Sequence, residues 1–151
     1  MKTSGSSQEL IVAKTVRIRA TPSQVWEALT NPQLTKKYFF GCEVHSTWQV
    51  GEPIVWTGRY NGKDVLVKGH VKEIVPGERL KYTAWSGLSG LEDIPSNYTV
   101  VTIELTGNEQ ETVMHVTDGN FGDGPGAEQR YQASVKGWDM VLKGLKDLVE
   151  R

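Results

Sequence analysis

Three histidines, one cysteine and a glycine-rich stretch carrying two aspartates are the first places to look for chemistry in this chain of 151 residues. Cys42 and His45 stand three apart in a stretch that reads as a strand, so they point to opposite faces and cannot readily act as nucleophile and base. His45, His70 and His115 fall on three different predicted strands. Alternation turns His115 away from the Met114 and Val116 side, taken here as inward, so all three read as surface or sheet-edge histidines and no metal site is expected. The run from Asp118 to Gly124 superficially resembles a calcium loop but lacks the ligand alternation and the closing glutamate. As a phosphate cradle it would set two carboxylates against the ligand with no lysine. It reads instead as a flexible joint before the final helix, with gating of an interior as its functional version. GxSxG, HExxH, Walker and CxxC patterns are absent, and no cofactor is expected.

Acid–base chemistry in an apolar interior needs a carboxylate or histidine held there. Asp118 is the one carboxylate that strand parity carries to the inward face, two residues beyond Val116, which makes it a weak catalytic candidate. The preferred reading puts it past the strand's end, capping a turn or meeting solvent, because turn aspartates are common.

Five Trp, five Tyr and three Phe are scattered along the whole chain. Trp26, Tyr82 and Trp138 read first as packing between helix and sheet. Tyr38, Phe39, Trp56, Trp85 and Tyr131 read as liners of an internal space, because rings with one polar tip can stack on an apolar ligand and orient it. With Tyr82, Met114, Val116, Val135 and Trp138 they form the candidate ligand-binding set. Leu88, Leu91 and Ile94 lie in a long loop, Ser86 to Asn97. They are assigned to the rim of the core ahead of a ligand-contacting lid.

The elements that must position these residues follow from turn and cap signals. A strand is expected from about Leu10 to Ala20. Thr21-Pro22-Ser23-Gln24 then opens a helix with a capping box, and Asn31-Pro32 opens a second, short one carrying Leu34, Tyr38 and Phe39. Strands follow at Glu43–Trp48, Ile54–Tyr60, Lys63–Val75, Arg79–Trp85, Tyr98–Leu105 and Thr112–Thr117, with Asn61-Gly62 the strongest hairpin signal. From Pro125 onward, Tyr131, Val135, Trp138, Leu142, Leu145 and Val149 recur every three or four residues, marking an amphipathic helix of more than 20 residues. A meander cannot bury both faces by itself, so this helix must cover one. A sheet of that many strands curls, and a helix laid in its concave face leaves space between the two.

Composition narrows the class. Hydrophobic residues make up 38% and charged residues 23%, which excludes a wholly disordered chain. Seventeen basic against 18 acidic residues give a net charge of -1, which argues against nucleic acid as a partner. A single cysteine excludes an internal disulfide framework. The first apolar run, Leu10 to Ala13, is too short for a signal peptide core or a membrane span. A soluble, cytoplasmic protein is expected, with residues 1–8 a flexible arm and residues 9–151 one domain.

The segments RIRATPSQVWEALTNPQLTKKYF, WQVGEPIVW, GHVKEIVPGERLKYTAW, PSNYTVVTIEL and GWDMVLKGLKDLVE carry a resemblance that spans most of residues 16 to 150. In that order and spacing the chain resembles the START-like helix-grip domains of the SRPBCC superfamily, and within it the branch named after the activator of the heat-shock-protein ATPase. The resemblance implies an α+β helix-grip fold: a curved antiparallel sheet of about six or seven strands, two short helices after strand 1, and a long C-terminal helix over the concave face. It further implies a cavity for a hydrophobic or amphipathic small molecule, lipid-like or aromatic. Where family members often end the last strand with a histidine, this chain has Asp118. Three functions are compatible with the resemblance. Ligand binding is preferred; a cyclase- or hydratase-type enzyme using Asp118 or a tyrosine, and a co-chaperone module with a chaperone partner, are the alternatives.

Overall fold

The computed structural model describes residues 10–150. The arm expected at residues 1–8 lies outside them. Along the chain the elements are β1 (Val12–Ile18), α1 (Pro22–Thr30), α2 (Pro32–Tyr38), β2 (Cys42–Ser46), β3 (Pro53–Tyr60), β4 (Lys63–Val75), β5 (Arg79–Ser86), β6 (Thr99–Gly107), β7 (Thr112–Gly119) and α3 (Ala127–Val149). This is the α+β helix-grip arrangement expected from the sequence, with seven strands.

Local chemistry sets the early elements. Thr21 Oγ1 accepts from the Gln24 amide at 3.1 Å while Gln24 Oε1 accepts from the Thr21 amide at 2.8 Å, so both halves of the capping box are formed. Asn31 ends α1 and starts α2, its Oδ1 accepting from the Gln33 amide at 2.9 Å. Asn61 and Gly62, at φ of 52° and 78°, make the tight turn between β3 and β4.

All strand pairings are antiparallel, in the order β1-β7-β6-β5-β4-β3-β2. The first and last strands in that order remain open edges, so the sheet is a curled half-pipe and not a closed barrel. A register shift between Val71 and Glu73 bends the long β4 where it meets β5. Close by, Gly69 lies so near the β5 backbone that an added Cβ would fall 1.6 Å from the Thr83 carbonyl oxygen. Only glycine fits there.

α3 lies across the concave face and makes two different contacts along its length. In the C-terminal half, Trp138, Val141, Leu142 and Leu145 are buried. There Gly144 lets the helix press on α2, where a Cβ would come 2.8 Å from the Cβ of Tyr38. In the N-terminal half only Ala127 is buried, and Ala133, Ser134 and Gly137 present little bulk to the sheet. The helix is therefore seated at one end and stands off at the other.

The seated end is tied to β1. Glu150 accepts from the backbone amide of Arg19 at 2.9 Å and is paired with Lys146 and Arg19. The Arg19 amide first, then Lys146, holds this carboxyl down to about 2, against an ordinary value of 4.5. A carboxyl depressed in the folded state stabilises fully above its unfolded pKa, and that contribution drains away as pH falls through the folded one. Glu150→Gln should therefore lower the urea midpoint at pH 7, with the difference shrinking as pH falls from about 4.5 and vanishing only below about 2.

Candidate functional site

Between the standing-off half of α3 and the sheet lies a cavity of about 690 Å³. Its floor is the inward face of the central strands: Val65 and Val67 on β4, Tyr82 and Ala84 on β5, Val101 on β6 and Asp118 on β7. Its roof is α3, through Arg130, Ala133, Ser134, Gly137, Trp138 and Val141. Phe39 and Phe40 close the end beyond α2. Small residues on both sides leave the space unfilled, Ala84 on the sheet and Ala133 and Gly137 on α3.

One side wall is the loop between β5 and β6. Leu88 and Leu91 line the cavity, and neither belongs to the buried core. The expectation that they complete the core rim is thus corrected: Leu88 is 61% exposed and stands at the mouth. The loop is pinned from both sides, by Trp85 Nε1 donating to the Leu91 carbonyl at 3.2 Å and by the Lys68–Asp93 ion pair outside. The hydrogen bond from Lys68, with a second from Tyr98, holds the Asp93 carboxyl below its usual range.

Asp118 is placed differently from the preferred expectation. β7 runs to Gly119, and Asp118 is paired with Val12 on one side and Val101 on the other, so it is a strand residue and not a turn cap. It is 8% exposed. Its Oδ1 accepts from Thr99 Oγ1 at 2.7 Å, and its Oδ2 accepts from Ser134 Oγ at 2.9 Å and from Trp138 Nε1 at 3.0 Å. Three donors from β6 and α3 satisfy a carboxylate that would otherwise be costly to bury.

Of the ten residues proposed as liners, Phe39, Tyr82, Trp85 and Trp138 border the cavity. The other six are placed elsewhere. Tyr38 turns its ring toward α1, where its hydroxyl donates to the Ala28 carbonyl at 2.6 Å and burial pushes its pKa up. Trp56 is stacked on Phe39 with centroids 5.5 Å apart and borders only a small annex of about 20 Å³. Met114 and Val116 do point inward, but at 0% exposure they lie in solid core. Tyr131 packs edge-on against Phe121. Val135 is on the flank of α3 that faces β1, where Asp139, one turn on, pairs with Lys14. Residues missed by the sequence reading include Ala84, Ala133 and Gly137. Small residues signal a cavity only once their facing partners are known.

The remaining reactive groups offer little. Cys42 is buried, and burial lifts its thiol to about 11. His45 and His70 are exposed, and His115 shares a hydrogen bond with Thr15 on the outer face. Among the described residues no group of three or more His, Cys, Asp or Glu side chains is placed to hold a metal, and no helix is long and apolar enough to cross a membrane.

Residues 19–150 match the family model described as Activator of Hsp90 ATPase homolog 1-like protein. This chain belongs to that family. Among solved structures it is similar to a Cytophaga hutchinsonii protein at 36% identity, with 93% of each chain covered and a TM-score of 0.73. The Aha1 dimer from Colwellia psychrerythraea shares the fold at 20% identity, covering 93% of this chain and 96% of that one, with a TM-score of 0.71. CalU16 from Micromonospora echinospora shares it at 19% identity over 92% of this chain and 75% of that one, with a TM-score of 0.68. No curated protein sequence matches significantly.

If Asp118 ties sheet to helix, its removal should be felt as stability. Asp118→Ala strands three donors and should cost about 3 kcal/mol in urea unfolding. Asp118→Asn can turn its carbonyl to Trp138 and its amide to Thr99, and should cost only about 1 kcal/mol. Equal midpoints for wild type and the alanine variant would contradict the assignment.

Proposed function

We propose that this protein binds a hydrophobic or amphipathic small molecule, lipid-like or aromatic, in the space between the sheet and α3. The observation that carries this reading is the cavity of about 690 Å³ with its aliphatic and aromatic lining. That volume falls within the range of small-molecule sites, roughly 300–1,000 Å³. Polar side chains of the lining include Asp118, Thr99 and Ser134, joined by hydrogen bonds inside, and Asn61, Lys63, Ser96, Asn120 and Gln129, which are exposed to solvent. An apolar body inside with a polar end at this rim suits such a distribution. A ligand hiding about 200 Å² of apolar surface gains on the order of 5 kcal/mol before its ordering costs.

A cyclase- or hydratase-type enzyme that uses Asp118 as its acid or base has less support from the geometry. A working acid or base must exchange its proton with a substrate, and the two oxygens of Asp118 are already engaged by Thr99, Ser134 and Trp138. Its arrangement is that of a fixed acceptor.

Displacement of a fluorescent fatty acid by unlabelled apolar compounds tests the binding reading. Saturable binding is expected, and Ala133→Trp, which puts an indole into the space from an already helical position, should weaken it at least tenfold with little change in urea midpoint. No saturable binding across a broad apolar library, or binding untouched by the tryptophan, would overturn it.

A further inference from the structure

Tyr82 places a hydroxyl in the interior, where a free polar group can serve a ligand. It is 2% exposed, held in mid-sheet by pairing with Val71 and Val101, with its ring packed on Trp56 at 4.9 Å. Three other rings nearby use their polar tips: Tyr38 on the Ala28 carbonyl, Trp138 on Asp118 and Trp85 on the Leu91 carbonyl. Among the described residues the Tyr82 hydroxyl has no such partner, yet every fully enclosed side-chain nitrogen or oxygen has one. The hydroxyl is thus not fully enclosed, and the spaces that Tyr82 borders are the main cavity and its small annex.

Resting on the binding reading above, we infer that the Tyr82 hydroxyl is the inner docking point for a neutral oxygen, a carbonyl or hydroxyl, on the buried end of the ligand. A hydroxyl both donates and accepts, so either oxygen type completes it. Burial first, then the nearby Asp118 charge, raises the Tyr82 pKa well above its ordinary value, so the group offers a proton and carries no charge. A carboxylate at the same depth would lose its hydration and meet Asp118, a like charge. The deep end thus selects an uncharged oxygen function, and any anionic end of the ligand belongs at the rim with Lys63 and Arg130.

Chemical-shift titration with three compounds of one skeleton tests this directly: 2-methylnaphthalene, 2-naphthol and 2-naphthoate. Wild type should bind 2-naphthol about three- to tenfold more tightly than 2-methylnaphthalene, the size of one hydrogen bond, while 2-naphthoate, its carboxylate at the rim, should bind equally well with or without the Tyr82 hydroxyl. Tyr82→Phe keeps the ring and should abolish the naphthol preference while leaving 2-methylnaphthalene unchanged. A naphthol preference that survives Tyr82→Phe, no preference in wild type, or 2-naphthoate binding that weakens with Tyr82→Phe would overturn the inference and leave the binding reading standing. If none of the three binds wild type, both fail.

Discussion

The carboxylate of Asp118 is where the sheet and the long helix are joined at a fixed distance. Thr99 reaches it along the sheet, while Ser134 and Trp138 reach it from α3. The indole of Trp138 acts as a spacer, because its ring must fit between helix and strand for Nε1 to reach Oδ2. The helix can neither collapse onto β7 at this point nor lift away without stranding buried donors. Toward its C-terminus from this junction, α3 is packed into the core; toward its N-terminus it is held off. The cavity is the geometric consequence of a helix fixed at one end and propped by an indole near its middle.

Small side chains keep the propped half empty. Where Met114, Val116, Leu142 and Leu145 interdigitate, the interior is solid. Where Ala84 on the sheet and Ala133 and Gly137 on α3 line the space, the side chains are too small to fill it. The same sheet thus supplies a core under one half of the helix and a floor under the other. The loop from Gly87 to Tyr98 is drawn against the open side by the Trp85 indole and the Lys68–Asp93 pair, giving the space a wall without filling it.

Much of the fold was legible because its signals are local. The capping box at Thr21 and Gln24, the Asn31-Pro32 start of α2, and the Asn61-Gly62 turn each depend on a few adjacent residues, and β4 falls on Lys63–Val75 as expected. The site was less legible because lining a cavity is a relation between distant residues. Strand parity put Met114 and Val116 on the inner face but could not tell which part of that face the helix would press on. Helical periodicity put Tyr131 and Val135 in the apolar stripe, yet that stripe is wider than the cavity, and these two lie on its flanks. Asp118 was assigned to a turn because its strand's last pairings, with Val12 and Val101, come from segments more than 15 residues away.

Crystals of the wild-type protein under xenon pressure examine the central claim most directly, since xenon occupies dry apolar voids. The account predicts xenon in the space among Ala84, Val101 and Val141, with the Trp138–Asp118 hydrogen bond intact. A helix settled onto the sheet, with its own side chains filling that space and no xenon site within it, would contradict the account.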